Sequence, residues 1–197
     1  MIKAFNKWET AGIKVADPGL VNYVNTEAKF VPKTGAKYAG NRFHKSKVFI
    51  VERLINRIQV SGHKAKKHKF SSGQNTGKTQ NAYAIVEGAL DIIEKKTKEN
   101  PIAVLVKAIE NAAPREEIIT IEYGGARYPK AVEVAPQRRV DLVLKLMVQT
   151  VYQKSANKKK SAMDALADEI IFAFNVSQNS GAIQKKLELE RQADSSR

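Results

Sequence analysis

One stretch of this chain breaks the pattern of everything around it. Residues 117–134, EIITIEYGGARYPKAVEV, alternate through Ile119, Ile121 and Tyr123, reach Gly124-Gly125, and alternate again through Val132 and Val134. A period of two interrupted by two glycines predicts a β-hairpin. On both sides the apolar residues recur every three or four positions, the period of an amphipathic helix. Two strands alone are marginal in water. The hairpin therefore leans on helices or projects and is ordered against a partner. The fold class that follows is mainly α, one helical domain interrupted by one hairpin.

The helices are read from their apolar faces and their ends. Val51, Leu54, Ile55 and Ile58 open the first, from Ser46, and Gly62 stops it. A second runs from about Thr79 to Lys98 with Ala82, Ile85, Val86, Ala89 and Ile93 on one face. Asn75 or Thr76 is expected to cap it. Asn100-Pro101 reads as N-cap and first residue of a third, which halts before Pro114. After Pro136 come helices at about 137–153, 162–174 and 182–193, the middle one opened by a Ser161/Asp164 capping box. Residues 1–45, with Pro18, Pro32 and no sustained period, are expected to form an extended basic arm; residues 46–197 form the domain.

Charge then narrows the function. The 197 residues carry a formal net charge of +14, and residues 29–79 hold 13 Lys/Arg against the single acid Glu52. Such segregation points to a polyanion, because phosphates attract clustered cations and release counterions on binding. Aromatics are interleaved with bases in the arm: Phe5, Trp8, Tyr23, Phe30, Tyr38 and Phe43 among Lys7, Lys29, Lys37 and Arg42. That mixture suits base stacking with phosphate contact, or pins the arm to the core.

Other classes are excluded by what the motifs lack. SSGQNTGKTQ (71–80) ends in Gly-Lys-Thr, but only three residues separate Gly73 from Gly77, and no apolar strand precedes it or follows with an aspartate. What remains is an anion site made by the free N–H groups of the next helix start with Lys78, for which an RNA phosphate would suffice. His63 and His68 sit among lysines, His44 stands apart, and there is no cysteine, so no metal or other cofactor is expected. The first residues, MIKAFNKWETAG, lack the apolar run of a signal peptide, and no apolar run approaches a membrane span. A soluble intracellular protein is the expectation. Arg127, Tyr128 and Lys130 lie at the hairpin tip, and Arg138 and Arg139 open the next helix against its macrodipole. An adverse choice made twice hints at a bound polyanion, unless Asp141 and Glu133 compensate it locally.

GGARYPKAVEVAPQRR (124–139) resembles the hairpin-and-helix signature of the small-subunit ribosomal protein seven family. RFHKSKVFIVERLINRI (42–58), ENPIAVLVKAIENAAPRE (99–116) and AIQKKLELERQADSSR (182–197) resemble it in the same order. The likeness covers about residues 17–197 and is of the archaeal and eukaryotic type, most of all the archaeal. It implies six helices with a projecting hairpin, no catalysis, and residence on cytoplasmic ribosomes. It also implies binding to the 3′ major domain of small-subunit ribosomal RNA, initiation of head assembly, and a place beside exit-site transfer RNA and the messenger path, among head and platform proteins. RNA contact carries by motif match onto Arg42, Lys45, Lys47, Lys78, Arg115, Arg127, Tyr128, Lys130, Arg138, Arg139, Lys185 and Lys186. An architectural DNA-binding protein is the alternative, since a basic helical domain with a β-ribbon also suits duplex DNA.

Overall fold

A computed structural model describes residues 2–62 and 75–197. The expectations for His63, His68 and most of the basic loop lie outside the described residues. Helices α1 (Ile50–Ile58), α2 (Thr79–Thr97) and α3 (Pro101–Ala112) lead into strands β1 (Glu116–Tyr123) and β2 (Ala126–Glu133). Helices α4 (Pro136–Ser155), α5 (Ala162–Phe174) and α6 (Gly181–Asp194) follow. The fold is therefore mainly helical with one antiparallel hairpin, as the period change requires.

Local capping chemistry sets several of these ends. Asn100 accepts a hydrogen bond from the Ile102 N–H at 3.0 Å, ahead of Pro101. Ser161 accepts one from the Asp164 N–H at 3.1 Å and donates its hydroxyl to the Asp164 carboxylate at 2.7 Å. Two boundaries differ from the sequence pattern. The N-cap position of α2 falls on Lys78 rather than on Asn75 or Thr76, and its side chain makes no capping bond. Helix α1 begins at Ile50 rather than Ser46, because a remote residue competes for the backbone. The Ile50 N–H donates to the Asn25 carbonyl at 2.9 Å, and Asn25 Nδ2 donates to the Lys47 carbonyl at 2.9 Å. Phe49 is thereby held extended in a parallel bridge to Asn25, and His44–Lys47 form only a 3-10 turn.

Helix α5 lies at the centre, packed on α2, α3 and α4 through Leu166, Ile170 and three buried alanines. The start of α6 comes close to α4, and Gly181 is what permits it: a Cβ there would lie 2.3 Å from Thr150 Oγ1. Glu169 ties the same region together without solvent. Its carboxylate accepts from Lys154 Nζ at 2.9 Å, the Ser180 hydroxyl at 2.8 Å and the Ala182 N–H at 3.1 Å.

The N-terminal segment has no α-helix or strand ladder among its described residues, yet it packs on the domain. Ala4, Phe5, Trp8, Leu20 and Val24 belong to the same buried cluster as the helices. Phe5 meets Trp8 edge-on at 5.7 Å and Tyr83 at 4.7 Å, and Trp8 Nε1 donates to Glu94 at 3.0 Å. Lys7 lies between Glu87 and Asp91, 3.0 Å from each. The arm's aromatics thus divide: Phe5 and Trp8 anchor it, while Phe30 and Phe43 face solvent.

Three aspartates report on this packing. Burial raises the carboxyl pKa of Asp17, Asp141 and Asp168, but hydrogen bonds and charge from their basic partners outweigh it, and all three end below the ordinary range. A carboxylate with a depressed folded pKa stabilises the fold above its unfolded pKa and loses that contribution as pH falls through the folded one. Stability is expected to fall progressively below about pH 4. Asp141→Asn should shallow that slope in urea titrations at stepped pH, and an unchanged slope would refute the assignment.

Candidate nucleic-acid interface

The hairpin is built from the turn outward. Gly124 and Gly125 have φ of +57° and +83°, the left-handed pair that a two-residue type I′ turn needs. Tyr123 then pairs with Ala126, and Thr120 with Pro129. Counting from the turn, Thr120–Pro129 is a non-hydrogen-bonded pair, so the missing proline N–H would have pointed outward and costs the ladder nothing. Ile119, Ile121, Tyr123, Tyr128 and Lys130 share one face and Arg127 lies on the other. Tyr123 is 81% exposed and Tyr128 57%, while Arg127 meets Glu122 at 3.7 Å.

The base of the hairpin is tied down by arginines. Arg138, in the first turn of α4, meets Glu117 at 2.7 Å, and Arg197 engages both Glu116 oxygens, at 2.5 and 2.6 Å. Arg139 turns the other way and is buried. It donates from Nε to the Pro114 carbonyl at 3.0 Å and from Nη2 to Asp17 at 2.8 Å. Both arginines that oppose the α4 dipole are thus offset by carboxylates. The partners are Glu117 and Asp17, whereas the locally expected Asp141 faces Lys45 and Arg53 at 2.9 and 3.0 Å.

The remaining candidates fall into two groups. Lys45 and Arg138 line one cleft with α1 and the start of α4, and Thr79, next to the exposed Lys78, lines it too. Arg42 lies over the Phe43 ring at 5.1 Å, and Lys47 is exposed beside them. Arg115 is exposed at the foot of β1, where its N–H donates to Glu190 at 3.1 Å. Nearby, Lys186 donates to the Asn111 carbonyl at 2.8 Å, and burial pushes its amine down against the pull of Glu190. Lys185 pairs with Glu188 on the outer side of α6 at 2.7 Å. Sequence reasoning leaves out Arg53 and Arg57, although their i, i+4 spacing on α1 signals a shared face. Both line the cleft.

Comparison with known proteins settles what kind of chain carries this surface. A family model described as Ribosomal protein S7p/S5e matches residues 21–197. The chain belongs to the ribosomal protein S7p/S5e family. It is 52% identical over 196 residues to the small ribosomal subunit protein uS7 of Nanoarchaeum equitans, covering 100% of this chain and 99% of that protein. With uS7 of Methanosphaera stadtmanae it shares 48% over 193 residues, 98% of this chain and 97% of that one. With uS7 of Methanococcus aeolicus it shares 45% over 197 residues, 100% and 99% of the two chains. This S7p/S5e member is thus a structural protein of the small ribosomal subunit, archaeal in type and cytoplasmic, and not an enzyme. The hairpin, the arginine-tied base and the basic cleft are features of a ribosomal protein.

Proposed function

We propose that this protein binds the 3′ major domain of small-subunit ribosomal RNA and starts assembly of the head. In that position it lies beside exit-site transfer RNA and the messenger path, against neighbouring head and platform proteins. The observation that carries the reading is the hairpin. Its tip presents Arg127, Tyr128 and Lys130 to solvent on a two-strand stalk, where Arg127 makes a loose ion pair with Glu122. Tyrosine offers a stacking face to an unpaired base and the cations offer phosphate contacts, the combination that RNA recognition uses.

Arg42, Lys45, Lys47, Lys78, Arg115, Arg138 and Lys185 extend the contact surface from the cleft edge to α6. Arg139 and Lys186 serve it from behind, by holding Pro114, Asn111 and Asp17 in place. The arm contributes through Arg42 and the exposed Phe30 and Phe43.

Binding of a folded 3′ major domain RNA and of duplex DNA of equal charge, across a salt series, tests the reading. RNA is expected to bind more tightly at every salt concentration. Arg127→Glu with Lys130→Glu should flatten the log–log salt slope by about two, with helicity unchanged. Equal affinity for the two nucleic acids would favour the architectural DNA-binding alternative instead.

A further inference from the structure

A cleft of about 940 Å³ opens between residues 33–39, α1 and the start of α4. Lys33, Lys45, Arg53, Arg57, Arg138 and Lys145 line it, against the acids Glu52 and Asp141. Asp141 is already engaged by Lys45 and Arg53. Glu52 is not fully engaged, although it is only 3% exposed. One of its oxygens accepts both the Thr34 N–H and the Thr34 hydroxyl, each at 2.7 Å. Its other oxygen, Oε2, is buried without a partner among the described residues, as are Arg53 Nε and Arg57 Nε. Burial pulls the Arg57 guanidinium below the ordinary range, against the charge of Asp141.

Buried ionic atoms without partners are costly, and Glu52, Arg53 and Arg57, which carry them, all line the cleft, so a ligand that draws these side chains toward it would complete them. The unmet groups are of both kinds: guanidinium donors that want an acceptor and a carboxylate oxygen that wants a donor. Inorganic phosphate, which offers chiefly acceptor oxygens, answers the first need only. A divalent cation answers the second and is repelled by the surrounding lysines and arginines. A nucleotide answers both, with phosphate for the cations and base N–H for the carboxylate. The rest of the lining suits a base, for Tyr38, Val48 and Leu142 give it aromatic and apolar surface, while Asn56 and Gln137 give edge-reading amides.

We propose that this cleft receives a single unstacked nucleotide of the ribosomal RNA, with an N–H-bearing base edge on Glu52 and the adjoining phosphate on Arg57 and the cations at the mouth. The proposal deepens the RNA-binding reading and rests on it. It adds a point of base recognition away from the hairpin, so part of the specificity lies in a protein pocket rather than in the shape of the RNA.

Titration of the full ¹⁵N-labelled chain with AMP, and in parallel with inorganic phosphate at matched ionic strength, tests the cleft directly. AMP is expected to move the amide signals of Thr34, Glu52, Asn56 and Gln137, and phosphate to leave those of Thr34 and Glu52 unmoved. Equal movements with both ligands, or none with AMP, would overturn the proposal. On the RNA side, Asn56→Trp fills the cleft from an exposed position and should weaken binding of the 3′ major domain RNA about tenfold, the scale of one lost stacking contact. Gln137→Leu, at an independent position, should weaken it in the same direction. RNA affinity within twofold of the unaltered protein in both variants sinks the cleft and spares the RNA reading. AMP-induced movements in a chain that binds duplex DNA as tightly as RNA sink the ribosomal source of the nucleotide together with that reading.

Discussion

Glu169→Ala is expected to lower unfolding free energy by about 3 kcal/mol, the scale for removing one partner of a buried charge pair, discounted for a partner that is partly solvated. For a chain of this length that corresponds to a fall in Tm of about 6–12 °C. The size follows from what the truncation leaves behind. Glu169 is fully buried in the middle of α5 and is the acceptor for three donors from other parts of the chain. Ser180 and the Ala182 N–H lie at the start of α6, so they lose their acceptor inside the protein rather than in water. Lys154 retains the Asn179 carbonyl at 3.2 Å and about a third of its surface, which limits its share of the loss. Glu169→Gln keeps one acceptor oxygen and should cost about half as much. Urea unfolding at constant m-value measures both variants. A loss under about 1 kcal/mol for the alanine variant would mean that water replaces the carboxylate, and the tie between α4, α5 and α6 would not be structural.

What the sequence makes legible depends on the range of the interaction. The ends of α3 and α5 are set within three residues by Asn100 and Ser161, and the hairpin by two glycines, so each is present in a short window of sequence. The start of α1 departs from its apolar pattern because Asn25, two dozen residues earlier, takes the hydrogen bond of Ile50. A local pattern holds no trace of that competition. The candidate interface divides in the same way. Arg127, Tyr128 and Lys130 are legible because a two-residue turn leaves its neighbours at a free tip. The cleft is not, since it joins residues 33–39 to α1 and α4 across most of the chain. Its one sequence signal is the spacing of Arg53 and Arg57.

Arg138 and Arg139 show where such range matters most, and reversing each separately should give opposite results. They are adjacent, of one type, and both oppose the α4 dipole, so nothing in the sequence separates them. In the structure the Arg138 side chain is 60% exposed and that of Arg139 only 10%. Arg139→Glu removes the donors to Asp17 and Pro114 and sets a second carboxylate against Asp17. A loss of about 4 kcal/mol is expected, in the range for a broken buried pair. Arg138→Glu loses the pair with Glu117 and sets a second carboxylate beside it, but the new side chain starts from a 60% exposed position and can turn to solvent, and the dipole favours an acid in the first turn of a helix. Its stability should change by less than about 1 kcal/mol, the scale of exposed ion pairs, while its RNA affinity falls. Combining Arg139→Glu with Asp17→Lys restores opposite charges and should recover part of the lost stability, which distinguishes an ion pair from a simple packing defect. If Arg139→Glu unfolds at the same urea concentration as the unaltered protein, the arm is not held through Asp17, and Arg139 returns to the set of side chains available to RNA.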